Sequence, residues 1–335
     1  GRRPILIASL LAGTVIYAAH AYATTPLLLI AARFAAGLAS GSFAVAFAVA
    51  SDVSTPAART KTMGIVSAGF SLGFIFGPAI GGLTAGADPG PDAFARVCYV
   101  GAALTFIAAV ATYFLLPETR RAADPSAAPA PDAMSLLRRP DFLAPTLIGF
   151  VAIAAMSMME SVFVLFADAV LELGPLGIGL VFSVMGATGA VLQAGMAGRI
   201  AGRYGERVML ILSLVALSAG LVLLGGSTAV IPAVFACIVI SVGFSLHNPA
   251  VAGLASFAAP AAAQGVALGL VQAASSLGRV VGPAAAGPIY DGQGPTAPFY
   301  WAAVILVATI AAVIAWRPKE PSRPQPPSAA HTEPS

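Results

Sequence analysis

The chain has 335 residues, of which 58% are hydrophobic and only 9% charged, with a formal net charge of +3 at pH 7. Soluble globular domains carry about a quarter charged residues, so this composition excludes an ordinary water-soluble protein and indicates an integral membrane protein. The modest positive charge comes with no basic stripe or module of the kind that binds nucleic acid.

Apolar runs long enough to cross about 30 Å of hydrocarbon recur from one end of the chain to the other. Bounded by charges, Pro, Gly or short polar turns, they predict ten membrane helices, at 4–22, 27–50, 63–86, 97–116, 142–167, 175–197, 207–226, 230–255, 265–288 and 298–316. We therefore expect an all-α membrane protein. Buried core helices of a soluble protein are the alternative, but few residues would remain for a water-facing shell.

The basic residues are distributed unevenly between the two sides of the membrane. If the loops alternate, one side holds fourteen of the seventeen Lys and Arg residues, and the other holds only Arg96. The positive-inside rule then places loops 51–62, 117–141 and 198–207 and the C-terminus in the cytoplasm. Residues 117–141 are rich in Pro, Ala and charge, which predicts a flexible linker. The Pro- and Ser-rich residues 317–335 predict a disordered tail.

The sequences on the two sides of this linker repeat each other. The stretch GIVSAGFSLGFIFGPAIGG has the spacing G-x8-G-x3-G-P-x2-G-G, and this spacing returns 205 residues later. The residues concerned are Gly64, Gly73, Gly77, Pro78, Gly81 and Gly82 in the first copy and Gly269, Gly278, Gly282, Pro283, Ala286 and Gly287 in the second. GRRPILIASLLAG from Gly1 also resembles the stretch from Gly205. The repeat predicts two pseudo-symmetric helical halves, 1–116 and 142–316.

The second half begins with two predicted helices, 142–167 and 175–197, that have no counterpart before Gly1. We therefore expect ten of the twelve helices of a duplicated bundle in this chain. A natural ten-helix protein is the alternative.

The repeated glycines predict close helix packing. Gly73, Gly77 and Gly81 are four residues apart and share a face, and small residues at this spacing let helix backbones approach closely in lipid. Pro78 removes a backbone hydrogen bond and bends its helix. This combination suits two halves that seal and separate during transport. A closely packed helix pair without a gating role is the alternative.

Few ionisable residues lie inside the predicted spans, and a charge there is costly enough to be a functional candidate. Glu160 is the only carboxylate well inside a span and could bind and release a proton, although it could also be an interfacial residue. Arg33 is a second coupling candidate, or a fixed charge bonded to backbone. Arg279 could neutralise Glu160 or contact substrate. His247 could titrate near neutral pH or simply be a satisfied polar group. Further substrate or gating candidates are Asn248, Gln193, Phe163 and Phe166.

Several of these stretches together resemble the major facilitator superfamily, and within it the twelve-helix drug:proton antiporters related to tetracycline and multidrug efflux proteins. GRRP from Gly1 resembles the end of a loop motif, G-x-L-A-D-R-x-G-R-R, and GRIAGRYGER resembles its second copy, with Gly202 in place of Asp. ARFAAG, residues 32–37, resembles a fourth-helix motif with a buried Arg. The glycine stretch fits the fifth-helix antiporter motif, and LLPET resembles the end of the sixth helix.

The resemblance implies a proton-coupled exporter of small amphiphilic compounds or drugs, in the cytoplasmic membrane, that works by alternating access. It implies that Arg33 takes part in proton coupling. It also implies a cytoplasmic charge cluster, for which the candidates are Arg2, Arg3, Asp52, Arg59, Arg203 and Arg207. A metabolite uniporter or symporter of the same fold and an inactive fragment remain alternatives. No catalytic constellation, metal-ligand spacing or ATP-binding loop is evident, so we expect no enzyme and no cofactor, and a monomer whose partners are lipid, protons and substrate.

Overall fold

The computed structural model describes residues 1–39, 42–53, 59–86, 90, 92–119, 133–260 and 263–316, and this part of the chain contains helices and no strands. In chain order the helices are α1 (Arg2–His20), α2 (Pro26–Ala39), α3 (Ser42–Asp52), α4 (Arg59–Ala85), α5 (Ala93–Leu115), α6 (Ala133–Leu137), α7 (Pro140–Leu171), α8 (Pro175–Gly195), α9 (Ala197–Tyr204), α10 (Glu206–Gly225), α11 (Val230–Ala258), α12 (Gln264–Gln293) and α13 (Ala297–Ala315). The all-α fold predicted from the sequence is confirmed.

Eight of the described helices are long and apolar enough to cross a membrane, namely α1, α5, α7, α8, α10, α11, α12 and α13. The described residues of the predicted span 27–50 are helical, in α2 and α3, and residues 40 and 41 between them lie outside the described part. Helix α4 covers the predicted span 63–86. The membrane fold is therefore confirmed, whereas the count of ten spans is not. The tail at 317–335 and most of the linker, 120–132, lie outside the described residues.

Helices α7 and α12 are longer than their predicted spans. They have 32 and 30 residues, which at 1.5 Å per residue corresponds to about 48 and 45 Å. Both lengths exceed the hydrocarbon thickness of about 30 Å, so the helices tilt or extend beyond the hydrocarbon.

The helices pack into two groups. In the first group, α1 contacts α2, α3 and α5, and α4 contacts α3 and α5; the second group contains α6 to α13. Among the described residues, the pair α4–α8 makes the extensive contact between the groups. Most of the large, fully buried apolar side chains in the described part belong to the second group, which holds the main core.

In each group an arginine near the start of one long helix binds the end of the group's last long helix. In the first group, Arg3 on α1 donates from Nη2 to the carbonyl oxygen of Tyr113 on α5, at 2.6 Å. In the second group, Arg207 on α10 donates to the carbonyl oxygens of Val313 and Ile314 on α13, at 3.2 and 2.8 Å. The last carbonyls of a helix lack helical donors and carry partial negative charge, so a cation stabilises them. These matching contacts are a structural counterpart of the sequence repeat.

Candidate functional site

The two groups meet where glycines of α4 and α8 face each other. A Cβ atom built on Gly82 would lie 2.9 Å from the carbonyl oxygen of Pro175 and 3.4 Å from the Cα of Gly179. A Cβ atom on Gly179 would lie 2.5 Å from the carbonyl oxygen of Pro78. No side chain fits at either position, so glycine allows the two backbones to touch.

This contact lies near one membrane surface. Gly82 is close to the end of α4 and Gly179 close to the start of α8, and the predicted orientation makes this the outer side. Sequence analysis included Gly82 in the repeated motif but missed Gly179. The only sequence signal for Gly179 is the glycine-rich start of α8. Because Gly is common in membrane helices, this signal does not distinguish a contact between the two groups from other packing.

The second copy of the glycine motif packs within its own group. A Cβ atom on Gly278 would lie 2.8 Å from the carbonyl oxygen of Phe150, and one on Gly282 would overlap the carbonyl oxygen of Ala154. These two glycines therefore bring α12 against α7. The expectation that both copies line the contact between halves does not hold for this second copy, because its closest neighbour belongs to the same group.

The remaining motif glycines have no such neighbour in the described structure. For five of them, no described atom lies within 4 Å of a Cβ atom built on the glycine. These five are Gly73, Gly77, Gly81, Gly269 and Gly287. Gly64 lies outside the residues whose surroundings are described. The predicted contact stripe of Gly73, Gly77 and Gly81 is therefore open here, and the observed contact uses the adjacent Gly82.

Glu160 and Arg279 lie on the packed helices α7 and α12. Glu160 is half-buried, and the positive charge of Arg279 acts on its carboxylate. Glu160 precedes the end of α7 by eleven residues, or about 16 Å, and Arg279 lies about 21 Å before the end of α12. The two oppositely charged groups lie on neighbouring membrane helices without a described ion pair between them, and an opposite charge nearby lowers the cost of each.

Arg33 lies apart from this pair. It is exposed on α2 in the first group, and the described group on which its charge acts is Cys98 on α5. Glu160 and Arg279 belong to the second group, and no described ion pair joins them to Arg33. The two coupling candidates from the sequence are therefore not neighbours in the described structure.

His247 and Asn248 occupy different environments although they are adjacent in sequence. The His247 side chain is only 1% exposed and lies against the backbone of Gly149, while its Nδ1 has no partner among the described atoms. His247 therefore links α11 to α7 and has no accessible surface for substrate. Asn248 is exposed and remains available for contact.

The two phenylalanine candidates lie in the core of the second group. Phe163 packs edge-on against Phe182, with ring centroids 5.2 Å apart, and Phe166 packs against Phe299 at 5.1 Å. Neither side chain has exposed surface, so in this conformation neither can contact a substrate, contrary to the expectation. Their role here is packing. The side chain of Gln193 lies outside the described residues.

The charge cluster in the first group has a member that sequence analysis missed. Arg2 donates from Nε to Oδ2 of Asp52 at 3.2 Å, and its backbone N–H donates to Oε1 of Glu118 at 2.7 Å. Thr119 also donates to Asp52, at 3.4 Å. Glu118 is the acid of LLPET and lies shortly after the end of α5. Its position in the sequence does not show that its carboxylate contacts the start of α1.

The other cluster candidates whose side chains are described make further contacts. Arg3 and Arg207 bind helix-end carbonyls, as described above, and Arg203 lies over the ring of Tyr204, 5.5 Å from its centroid. The side chain of Arg59 lies outside the described residues. The described contacts of Arg2, Arg3 and Asp52 lie within the first group, and those of Arg203 and Arg207 lie within the second.

The ion pair of Arg2 and Asp52 provides a test of this network. We expect Asp52→Asn to lower the free energy of unfolding by about 0.5–1 kcal/mol, since the pair is partly exposed. Exchanging the two residues, as Arg2→Asp with Asp52→Arg, should recover part of the loss. Thermal unfolding in detergent measures both, with Asp291→Asn as the control. An equal decrease in the free energy of unfolding for the control would show that the effect does not come from the ion pair of Arg2 and Asp52.

Comparison with known proteins identifies the family. The family model described as Major Facilitator Superfamily matches residues 1–283 and 172–335. Multidrug resistance protein 2 of Bacillus subtilis (strain 168) is 29% identical over 273 residues, which cover 78% of this chain and 66% of that protein. Tetracycline resistance protein, class B, of Escherichia coli is 27% identical over 305 residues, which cover 88% and 73%. The chain thus spans just under two thirds of the length of the Bacillus relative.

Solved structures share the fold at lower identity. The human organic anion transporter MFSD10 (TETRAN) superposes with a TM-score of 0.70 at 20% identity, over 93% of this chain and 77% of that one. A bacterial homolog of the human lysosomal transporter Spinster, in an inward-facing and occupied conformation, gives 0.75 at 13% identity, over 93% and 81%. The family match extends over the whole chain, and this chain belongs to the major facilitator superfamily.

Proposed function

We propose that this protein exports small amphiphilic compounds, drugs among them, in exchange for protons, across the cytoplasmic membrane. The observation that carries the proposal is the carboxylate of Glu160 within the membrane helix α7, on which the charge of Arg279 from the packed helix α12 acts. Relatives named for multidrug resistance and tetracycline resistance support efflux as the direction. The predicted cytoplasmic side, with most of the basic loops, defines the side from which substrate is taken.

The carboxylate of Glu160 would couple proton movement to export. A charge in the bilayer centre costs about 2.5–3.5 kcal/mol on insertion scales, and Arg279 offsets part of that cost while Glu160 is ionised. Proton binding removes the attraction between the two side chains and changes the electrostatics of the α7–α12 contact. A proton entering from outside would thus displace substrate from Glu160, and its release to the cytoplasm would prepare the site again.

Residues 1–116 and 142–316 would be the two moving halves. The corresponding hydrogen bonds of Arg3 and Arg207 support this division, because each arginine joins helices within one group. The contact of Gly82 with Gly179 would close the outer end between the halves. Parting these backbones while the cytoplasmic end closes is the movement that alternating access requires.

Proton release from inverted membrane vesicles tests the function. The vesicle lumen is first acidified, and candidate amphiphilic compounds are then added while a fluorescent dye reports the pH gradient. Antiport predicts that a transported compound raises the lumenal pH only in vesicles that contain the protein. Proton movement in the same direction as the compound would favour a symporter, and no response to any compound of a broad panel would contradict the proposal.

A further inference from the structure

The carboxylate of Glu160 and the guanidinium of Arg279 act on each other without being joined. The positive charge of Arg279 acts on Glu160, yet no ion pair links the two side chains in the described part of the chain. Arg279 is exposed and Glu160 is half-buried. Both charged groups can therefore be reached by a further molecule.

Helices α7 and α12, which carry these two residues, run in the same direction. A Cβ atom built on Gly278 would lie 2.8 Å from the carbonyl oxygen of Phe150 and 3.1 Å from the amide nitrogen of Ala154. One built on Gly282 would lie 2.9 Å from the amide nitrogen of Met158. An advance of four residues along α12 thus matches an advance of four along α7, so the helices are parallel and in register over this contact.

This register separates the two charged residues along the helix axes. Because Gly278 fits between Phe150 and Ala154, the next residue, Arg279, is about level with Ile153. Glu160 lies seven residues further along α7, or about 10 Å. The two long side chains span part of that distance. A molecule held between them would therefore carry its two binding groups several bonds apart.

Glu160 and Arg279 also lie on the same side of this pair of helices. Successive residues of an α-helix are turned by about 100°. Glu160 is therefore about a quarter of a turn from the contact face of α7 in one sense, and Arg279 is a similar angle from the contact face of α12 in the opposite sense. Opposite rotations on two parallel, facing helices lead to the same side. Ionisable residues within membrane helices face the bundle interior or an aqueous cavity, so this side faces the substrate path.

A ligand with a single charge would match one of these groups and oppose the other. A cation placed at Glu160 would be repelled by Arg279, and an anion placed at Arg279 would be repelled by Glu160. A ligand that carries both charges meets each side chain with the opposite sign. Each of the four charges is then paired, which lowers the cost of holding it within the membrane.

We propose that the substrate is a zwitterionic amphiphile, whose ammonium group binds the carboxylate of Glu160 and whose carboxylate binds the guanidinium of Arg279. The planar guanidinium fork can donate to both oxygens of a carboxylate. Proton binding to Glu160 releases the ammonium group, which agrees with exchange of substrate for protons. That the bound molecule is transported rests on the proposed function, whereas its binding does not.

Binding of three related probes to the purified chain in a nonionic detergent tests the proposal. The probes are ω-aminooctanoic acid, its methyl ester and its N-acetyl derivative, which at neutral pH are a zwitterion, a cation and an anion. The rise in the thermal unfolding midpoint with probe concentration gives each apparent affinity. We expect the zwitterion to bind about tenfold more tightly than either relative, since a hydrogen bond to a charged group contributes about that factor.

Removing the charge of Arg279 should abolish this preference. In Arg279→Gln, the affinity for the zwitterion should fall about tenfold, to that of the methyl ester. The affinity for the ester itself should stay the same or rise, because the repulsion of its ammonium group is removed. A merely destabilised protein would instead lose affinity for both probes.

The matched control is Arg138→Gln, which removes an exposed arginine just before α7 and should leave all three affinities unchanged. Equal binding of the zwitterion and the ester, no stabilisation by any probe, or an equal loss in Arg138→Gln would overturn the proposal. If Arg279→Gln fails to fold, the comparison of the three probes on the unsubstituted chain still decides. Because the readout is equilibrium binding without a proton gradient, absence of proton exchange in vesicles would contradict efflux and leave zwitterion binding unaffected.

Discussion

Replacing Glu160 with Gln is expected to reduce proton-driven transport to the rate of vesicles without the protein. Glutamine has nearly the same size and polarity, but it cannot take up or release a proton. Exchange of labelled for unlabelled substrate, which needs no net proton movement, should continue in the variant. Transport driven by a pH gradient and exchange at equal pH on both sides measure the two activities separately.

The matched control is Glu172→Gln, at the residue that directly follows the same helix. Glu172 is exposed at the end of α7, so its loss should leave proton-driven transport unchanged. If Glu160→Gln kept gradient-driven transport, the coupling role of this carboxylate would be wrong. If both variants lost exchange as well, the defect would lie in folding or substrate binding, and the Glu160 role would again be unsupported.

Replacing Gly179 with Leu is expected to abolish vectorial transport while the protein still inserts into the membrane. A Cβ atom at this position would lie 2.5 Å from the carbonyl oxygen of Pro78, so the larger side chain would force α4 and α8 apart. Overpacking of this kind costs about 1–3 kcal/mol. In the proposed cycle this cost falls on the conformation that is closed at the outer end. Uptake into inverted vesicles, normalised to protein level by immunoblot, measures the effect.

Gly69→Leu is the control for this prediction. Gly69 lies on α4 outside the repeated spacing, it is exposed, and no described atom lies within 4 Å of a Cβ atom built there. The control should therefore transport normally. Gly82→Leu should behave like Gly179→Leu, because Gly82 lies on the α4 side of the same contact between α4 and α8. Normal transport by Gly179→Leu at a normal protein level would contradict a transport role for the contact between Gly82 and Gly179.

Most of the fold could be predicted because a membrane imposes a simple rule on composition. A helix that crosses hydrocarbon needs about twenty apolar residues, and this rule acts on each segment separately. It located the helices but misjudged the ends of α7 and α12, since helix ends that extend beyond the hydrocarbon carry no apolar signal.

The site was only partly predictable. Glu160 and Arg279 stand out in sequence because charges in apolar segments are rare, and the structure places them on packed helices. Sequence analysis had no equivalent signal for Phe163 and Phe166, whose aromatic character suits a cavity wall and a core equally well. It could not identify Glu118, because its contact with Arg2 joins residues more than one hundred positions apart.

The sequence by itself determined the membrane class, the repeat and the positions at which helices can approach closely. Only the tertiary structure decided which helix approaches each glycine. Gly77 and Gly282 occupy the same position of one repeated motif, yet the first is open in the described structure and the second touches α7. A glycine spacing is a property of one helix, whereas its contact depends on which second helix lies beside it, and that depends on the packing of the whole bundle.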